Sequence, residues 1–193
     1  SITADGRYVA FASGSTNLTP NDNNSQADIF VKDMQTGAIR LVSTDSNGNP
    51  ADSASLYPSI SANGRYVAFQ SFARLVPGLV VNAAHIFVKD LQTGAVTLVS
   101  KSSGGVVADN VSQEALISAD GRYVTFSSFA TNLVPGDTNG REDVFVMDTQ
   151  TGTVTRVSTD SSNAQANGDS FSSAISADGR YVAFASNSTT PLA

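Results

Sequence analysis

The stretch ADGRYVAF at residues 4–11 returns as ANGRYVAF at 62–69, as ADGRYVTF at 119–126 and as ADGRYVAF at 177–184. A second stretch keeps the same interval of 57 or 58 residues: DIFVKDMQTG at 28–37, HIFVKDLQTG at 85–94 and DVFVMDTQTG at 143–152. Self-similarity at a fixed period is typical of repeat architectures, in which each unit buries its faces against its neighbours. The period therefore limits the architecture before any single residue is considered.

Each unit contains four short apolar segments between turns rich in Gly, Asn and Asp. The segments are rich in Val, Ile, Phe and Tyr, and no window shows helical periodicity, so the pattern predicts an all-β fold. Both faces of RYVAF and IFV are apolar, as expected for a sheet covered on both sides. The predicted strands lie at 7–13, 28–33, 38–43, 56–61, 65–71, 86–90, 95–100, 113–118, 122–128, 143–148, 153–158, 171–176 and 180–186.

Four antiparallel strands per repeated unit predict the blades of a β-propeller. Consecutive hairpins place the long loops, between the second and third strands and between successive blades, on one face of the disc. The chain forms a single propeller segment whose units span approximately 1–44, 56–100, 113–159 and, as a partial unit, 171–193. These units make about three and a half blades, so we expect further blades or another copy to cover the terminal strand edges.

The units resemble repeats of the TolB-like (WD-repeat-like) β-propeller family. In those repeats an apolar residue and Ser-x-Asp-Gly-Arg precede the second strand, and Asp-Ile or Asp-Val opens the third. Here ISADGRYVTF at 117–126 and DVFVMD at 143–148 follow that pattern, and the likeness covers nearly the whole chain. The resemblance implies the fold. It implies no single activity, because the family includes periplasmic interaction proteins, surface proteins and propellers attached to peptidases.

Composition argues against several classes of function. The chain has 11 Lys and Arg against 17 Asp and Glu, a net charge of −6, and no basic patch, so nucleic acid is an unexpected partner. No apolar run approaches the length of a membrane span, so we expect no membrane insertion. Without Cys, the chain has no disulfide and no thiol nucleophile. Scarce Lys and abundant Ser, Thr, Asn and Asp favour a bacterial protein that is extracellular, on the cell surface or periplasmic.

Two loops between the second and third strands of a unit share the pattern D-x-N-x-x-x-D. Hard oxygen donors that alternate on a tight loop suit Ca²⁺, which takes 6–8 oxygen ligands, better than Mg²⁺. The same residue types also form Asx-turns with no metal, so that interpretation stays open. The predicted ligands are Asp22, Asn24 and Asp28 in the first unit, and Asp137, Asn139 and Asp143 in the third.

The middle unit serves as an internal comparison for this calcium prediction. Its aligned residues are Leu79, Val81 and His85, so the donor pattern is lost as a set and we expect no ion there. The loop that leads to the next blade changes in step, because Asp45 and Asp160 align with Ser102. Joint loss is what one shared site predicts. We therefore add Asp45 and Asp160 as further predicted ligands.

Other recurrent residues point to structure rather than catalysis. An Asp opens D-x-Q-T-G in three units, where it stabilises the turn before a hairpin Gly. Antiparallel pairing places each of these Asp residues beside the Arg that opens the second strand, which predicts the ion pairs Arg7–Asp33, Arg65–Asp90 and Arg122–Asp148. His85, the only His, lacks the positioned nucleophile and orienting group of a triad, and no G-x-S-x-G elbow is present.

The sequence thus predicts a non-enzymatic, exported, calcium-binding β-propeller module that acts in adhesion, recognition or assembly. Its predicted partner is protein, either further blades of the same chain or a second copy, and carbohydrate stays open as a ligand class. The alternative is an accessory or gating propeller of a larger hydrolase whose catalytic domain lies outside these 193 residues.

Overall fold

The computed structural model describes residues 1–81, 83–190 and 192 of the chain. Within these residues the regular secondary structure is thirteen β-strands, and none of it is a helix able to span a membrane. The strands are β1 (Tyr8–Ser13), β2 (Asp28–Asp33), β3 (Ile39–Leu41), β4 (Ser55–Ile60), β5 (Tyr66–Ser71), β6 (His85–Asp90), β7 (Val96–Leu98), β8 (Ser112–Ile117), β9 (Tyr123–Ser128), β10 (Asp143–Asp148), β11 (Val154–Arg156), β12 (Ser170–Ile175) and β13 (Val182–Ser186).

Strands that follow one another in sequence pair in antiparallel fashion. Two sheets have four strands, in the orders β4-β5-β6-β7 and β8-β9-β10-β11. A three-stranded sheet, β1-β2-β3, precedes them, and a two-stranded sheet, β12-β13, follows them. Ile2 adds an antiparallel bridge to Val9 beside the first sheet. The predicted all-β fold of four-stranded antiparallel blades is confirmed, and we call the four sheets the first to fourth blades.

The outer strands β3, β7 and β11 have three residues each, half of the predicted length. They end early because a serine hydroxyl takes the place of one backbone carbonyl as an acceptor in the ladder. In the first blade, the Ile29 amide donates a hydrogen bond to Ser43 Oγ at 3.0 Å. Ser100 and Ser158 accept equivalent bonds from the amides of Ile86 and Val144. All three serines are fully buried.

The core lies between blades, in two clusters of apolar side chains. Alternate residues of one strand point to opposite faces, so the second blade contributes to both clusters. Phe69 packs towards the first blade, with Val31 among its cluster partners, whereas Ala68 belongs to the cluster that contains Phe126 of the third blade. This arrangement explains why both faces of the RYVAF and IFV segments are apolar.

A tyrosine of each blade packs against a glycine of the next blade. Tyr8 lies on Gly64, Tyr66 on Gly121 and Tyr123 on Gly179, so closely that a β-carbon on any of these glycines would clash with the ring. The preceding arginine covers the other part of each ring; the Arg65 guanidinium carbon, for example, lies 4.9 Å from the Tyr66 ring centroid. The repeated motif GRY therefore forms the contact between blades.

The first strands of the second, third and fourth blades, β4, β8 and β12, each carry a β-bulge; we call them the innermost strands. The register shifts between Leu56 and Ser59 in β4, and the equivalent shift recurs in β8 and β12. The first bulged residue has positive φ although it is not glycine: 55° at Tyr57, 55° at Glu114 and 50° at Ser172. Such backbone is costly for these residue types and is concentrated at functional sites.

The three predicted ion pairs are present. Arg7 Nη2 lies 3.0 Å from Asp33 Oδ2, and the corresponding distances are 2.8 Å in the second blade and 2.7 Å in the third. Each aspartate also accepts hydrogen bonds from the next turn, as Asp33 Oδ1 does from the amides of Gln35 and Thr36. These residues stabilise the hairpin turn, as the sequence predicts.

Candidate metal site and inner cleft

The residues with the D-x-N-x-x-x-D pattern lie in loops that we call the first loop (19–28), the middle loop (76–85) and the third loop (134–143). In the first loop, Asp22 is only 4% exposed, and both of its carboxylate oxygens are buried without a hydrogen-bond partner among the described residues. Thr19 Oγ1 is buried and unpartnered as well. The Asp22 amide donates to the Thr19 carbonyl at 3.2 Å, so the three oxygens belong to one turn.

Asp28 closes the first loop and is fully buried. Its Oδ1 accepts a 2.5 Å hydrogen bond from Ser43 Oγ, and its Oδ2 accepts a 2.6 Å bond from Asn24 Nδ2. Burial raises the pKa of Asp28, the bonds from Ser43 and Asn24 oppose that rise, and repulsion from Asp22 adds to it.

Asn24, a predicted ligand, is hydrogen-bonded through both the oxygen and the nitrogen of its amide group. Its Oδ1 accepts the Gln26 amide at 2.8 Å, and its Nδ2 donates to the Ala51 carbonyl at 2.9 Å as well as to Asp28. Asn139 repeats these contacts in the third loop. The amide group ties each loop to the connection between blades, so the long loops share one face as predicted.

In the third loop, unlike the first loop, a cationic side chain lies beside the two carboxylates. Arg156 Nη1 lies 3.5 Å from Asp137 Oδ1 and 3.6 Å from Asp143 Oδ2, and it donates a 2.9 Å hydrogen bond to Gln165 Oε1. Burial raises the pKa of Asp137 and of Asp143, and the nearby Arg156 charge opposes that rise at both. Ser158 Oγ donates to Asp143 Oδ1 at 2.5 Å.

In the middle loop an apolar residue and a neutral ring replace the carboxylates. Leu79 is buried at the position of Asp22, and the buried His85 is 3.2 Å from Ser100 Oγ through Nδ1. Burial lowers the pKa of His85, which favours the neutral imidazole. The ring thus occupies the structural position of Asp28, beside the serine that recurs in each of the three units.

Asp45 and Asp160 cap their own turns. Asp45 Oδ1 accepts the amides of Asn47 and Asn49, and Asp160 Oδ1 accepts those of Ser162 and Ala164. Ser102 does the same at its position, where Oγ accepts the Val106 amide at 3.1 Å. Among the described residues no hydrogen bond or ion pair joins the side chain of Asp45 or Asp160 to the first or third loop. The turn-forming interpretation accounts for these two residues without a metal.

No group of three or more Asp, Glu, His or Cys side chains that could hold a metal is found in residues 1–81, 83–190 and 192. An ion at the first loop would therefore use two carboxylates and take its other ligands from hydroxyl, carbonyl or water oxygens. Thr19 Oγ1 is such a hydroxyl. The unpartnered oxygens fit a hard cation, and the first loop meets this requirement in a way that the middle loop does not.

A second candidate site is a cleft of about 630 Å³ between the innermost strands of the second and third blades. Tyr57, which is 63% exposed, and the partly exposed Phe72 and Leu116 supply apolar surface. Gln70 Oε1 is buried there without a hydrogen-bond partner among the described residues. Glu114 lines the same cleft, and its Oε2 accepts the Ser172 amide of the next blade at 2.9 Å. We call this site the inner cleft.

Solved propeller structures are similar to the chain over almost its whole length. TolB from Acinetobacter baumannii matches with a TM-score of 0.58 at 20% identity, over 98% of this chain and 37% of its own. A putative TolB from Agrobacterium tumefaciens matches with a TM-score of 0.61 at 17% identity, over 97% of this chain and 53% of its own. The chain has the fold of TolB-type β-propellers.

The tricorn protease also matches, with a TM-score of 0.56 at 18% identity, over 94% of this chain and 14% of its own. This chain therefore spans between a seventh and about half of the proteins to which it is similar in structure. No protein-family profile matches the sequence, and no curated protein does. At these identities the TolB-type likeness establishes the fold, and the function has to be argued from the sites.

Proposed function

We propose that this chain is a non-enzymatic TolB-type propeller module that works outside the bacterial cytoplasm in recognition or assembly and is stabilised by Ca²⁺. The observation that carries the calcium part is the Asp22 carboxylate, which is buried with both oxygens unpartnered. A buried, unpaired carboxylate costs several kcal/mol unless a cation or hydrogen-bond donors satisfy it. Ca²⁺ at the first loop supplies that partner.

The proposed ligands are Thr19 Oγ1, the two Asp22 oxygens and Asp28, with loop carbonyls and water completing the shell of 6–8 oxygens. Asn24 holds the loop in place through the bonds of its amide group to Gln26, Asp28 and Ala51. An ion here orders the first loop, which Asn24 already ties to Ala51 in the connection that leads to the second blade. The role of calcium is therefore structural.

The non-enzymatic part of the proposal is supported by the burial and hydrogen bonding of the side chains that usually act as acids and bases. His85 is fully buried in the second blade. Glu142 Oε1 accepts hydrogen bonds from Gln113 Nε2 and Ser127 Oγ, and Glu114 binds the next blade through Oε2. Both glutamates thus have structural partners, and the imidazole is enclosed in the core.

We place recognition at the inner cleft. Exposed aromatic and aliphatic side chains beside a buried, unpartnered acceptor suit a polypeptide segment that brings an apolar side chain and an N–H donor. Gln70 Oε1 is that acceptor, and Tyr57 and Phe72 are the apolar contacts. The proposed ligand class is protein, and the charge of the chain, −6, gives no support to an anionic polymer.

Thermal melting in calcium and in EGTA tests the calcium part. We expect the wild type to melt higher in millimolar Ca²⁺, because a ligand at 100 times its Kd stabilises the folded state by about 2.7 kcal/mol. The Asp22→Asn variant should lose calcium binding in isothermal titration and melt at one temperature in both buffers. In EGTA this variant should melt no lower than the wild type, because it no longer buries an unpaired charge.

The control variant is Asp52→Asn, which removes an exposed carboxylate paired with Arg74 at 3.0 Å. It should keep the full calcium response. If the wild type shows neither binding heat nor a shift in melting temperature, the calcium proposal is wrong and the turn-forming interpretation of the loop remains.

A phage-displayed peptide library tests the inner cleft. Peptides selected on the wild type should lose binding to Tyr57→Asn, a change that removes the aromatic ring at a position where Asn tolerates the positive φ of 55°. Met34→Asn, which changes an exposed apolar residue in the first blade, should bind them as the wild type does. Peptides that bind both variants equally would place recognition elsewhere.

An accessory or gating propeller of a larger hydrolase is the second candidate function. The likeness to the tricorn protease, described above, is the observation that favours it. The coding sequence on either side of these 193 residues distinguishes the two functions. A catalytic domain next to the propeller would support the hydrolase, and sorting or adhesion modules would support recognition.

A further inference from the structure

One residue position of the outer strand is leucine in two blades and arginine in the third blade. The register pairs Phe30 with Leu41, Phe87 with Leu98 and Phe145 with Arg156. Leu41, Leu98 and Arg156 are therefore equivalent. The arginine occurs in the blade with the carboxylates Asp137 and Asp143, and the equivalent residue in the blade with Asp22 and Asp28 is a leucine.

In the third loop the positive charge comes from the chain itself. The Arg156 side chain is only 9% exposed, and Nη1 lies 3.5 Å from Asp137 Oδ1 and 3.6 Å from Asp143 Oδ2. The guanidinium thus lies between the two carboxylates whose equivalents in the first loop are Asp22 and Asp28. An arginine suits such a buried position, because its charge is permanent and it offers several donors.

A second residue, Gln165, also differs between the third blade and the first blade. Gln165 Oε1 accepts the 2.9 Å hydrogen bond of Arg156 Nη1, and the Gln165 side chain also bonds Thr138. The isolated bridges Thr44–Pro50 and Thr159–Gln165 show that Pro50 is the equivalent residue in the first blade. Proline has no side-chain acceptor, so the first blade lacks both the internal cation and the residue that holds it.

The first loop has a hydroxyl oxygen at a position where the middle and third loops have valine. Thr19 aligns with Val76 and Val134, and its buried hydroxyl has no partner among the described residues. No ion pair reaches Asp22 or Asp28 in the part of the chain that the structure describes. The first loop thus combines an extra oxygen with two carboxylates that have no internal counter-charge.

We propose that Arg156 takes, in the third loop, the place that a calcium ion takes in the first loop. The chain then binds one Ca²⁺, at Thr19, Asp22 and Asp28, and none between Asp137 and Asp143. The identity of the ion rests on the proposed function, whereas the substitution of an ion by an arginine rests on the geometry of the third loop. This assignment narrows the two calcium sites predicted from the sequence to one.

Two exchanges between blades test the inference, with calcium binding measured by isothermal titration. The wild type should bind one Ca²⁺ per chain. Leu41→Arg places a guanidinium beside Asp22 and Asp28, so it should bind none and should melt at the same temperature in calcium and in EGTA. Arg156→Leu should bind two and should lose melting temperature in EGTA, with the loss reversed by calcium.

The control is Arg141→Leu, which removes an exposed arginine of the third loop that lies 3.9 Å from Asp169; it should bind one ion as the wild type does. The role of Arg156 would be overturned if the wild type bound two ions. It would also be overturned if the wild type bound one ion and Arg156→Leu bound no more. Either result would leave the proposed function intact. No binding to the wild type together with a calcium-dependent Arg156→Leu would overturn the calcium proposal for the first loop and support the role of Arg156. If neither protein responds to calcium, both proposals are wrong.

Discussion

The ring of Tyr66 packs so closely on Gly121 of the next blade that a β-carbon added to the glycine would lie 2.1 Å from ring atom Cδ2. The glycine also has a φ of +81°. Two independent reasons therefore exclude a side chain at this position: the left-handed backbone and the aromatic ring that covers it. The same relationship joins every pair of neighbouring blades in the described structure.

Gly121→Ala should destabilise the protein by about 2–4 kcal/mol, because the backbone strain of about 1–2 kcal/mol is added to the displacement of Tyr66. Gly136→Ala provides the matched control. Gly136 has a similar φ of +77° but no heavy atom within 4 Å of the added carbon, so only the strain should remain. Denaturant unfolding of both variants measures the difference. Equal losses of unfolding free energy would mean that the contact between blades contributes nothing.

Ser158→Ala should cost about 1–3 kcal/mol, since it leaves the Val144 amide without its 3.2 Å acceptor and Asp143 without its 2.5 Å donor inside the core. Chemical denaturation gives the change in unfolding free energy from the shift in midpoint. Ser46→Ala, a substitution at an exposed serine, should stay within about 0.5 kcal/mol of the wild type. A Ser158→Ala midpoint equal to that of the wild type would contradict the structural role of the buried serine.

The ion pair Arg122–Asp148 should make stability depend on pH in acid. The hydrogen bond from Arg122 lowers the pKa of Asp148 from 3.8 to about 2. A carboxylate with a lowered pKa stabilises the fold above its ordinary pKa, and that contribution disappears as the pH falls towards 2. The wild type should therefore be more stable than Asp148→Asn at pH 7, by about 1 kcal/mol or less for a pair near the surface, and should lose this advantage between pH 4 and pH 2.

Melting curves at pH 7, 4, 3 and 2 check this prediction. Asparagine keeps an oxygen that can accept the amides of Gln150 and Thr151, so the variant removes mainly the charge. A difference between the two proteins that is the same at pH 7 and at pH 2 would show that the charge of Asp148 is not responsible.

Local patterns in the sequence predict the fold well, because each blade repeats the same short-range signals. All thirteen predicted strands are present, and the Arg–Asp pairs follow from the antiparallel pairing of two adjacent strands. The outer strands are shorter than predicted because the hydroxyl of Ser43 and of its equivalents takes the place of one backbone carbonyl as an acceptor in the ladder. A serine in an apolar run gives no sign of this in a single unit. Its recurrence at the same place in three units was the available signal.

The candidate site is predictable only in part, since its decisive partners lie far apart in sequence. The D-x-N-x-x-x-D pattern identifies the two loops. It does not show which loop has a cationic side chain beside its carboxylates and which has none. Arg156 reaches Asp137 through the pairing of β10 and β11, which brings together residues 19 apart in sequence. Comparing Leu41, Leu98 and Arg156 across the aligned units would have indicated the difference. The inner cleft has no sequence signal, because the bulges that form it depend on register.

The bulge of the innermost strand has one further consequence. It places a solvent-exposed residue at the same point of three successive blades, and these residues are Tyr57, Glu114 and Ser172. The backbone geometry is constant while the side chain changes from aromatic to acidic to small and polar. A protein built in this way can acquire a new binding preference by substitutions at positions that its core does not use, so the scaffold and its specificity can evolve separately.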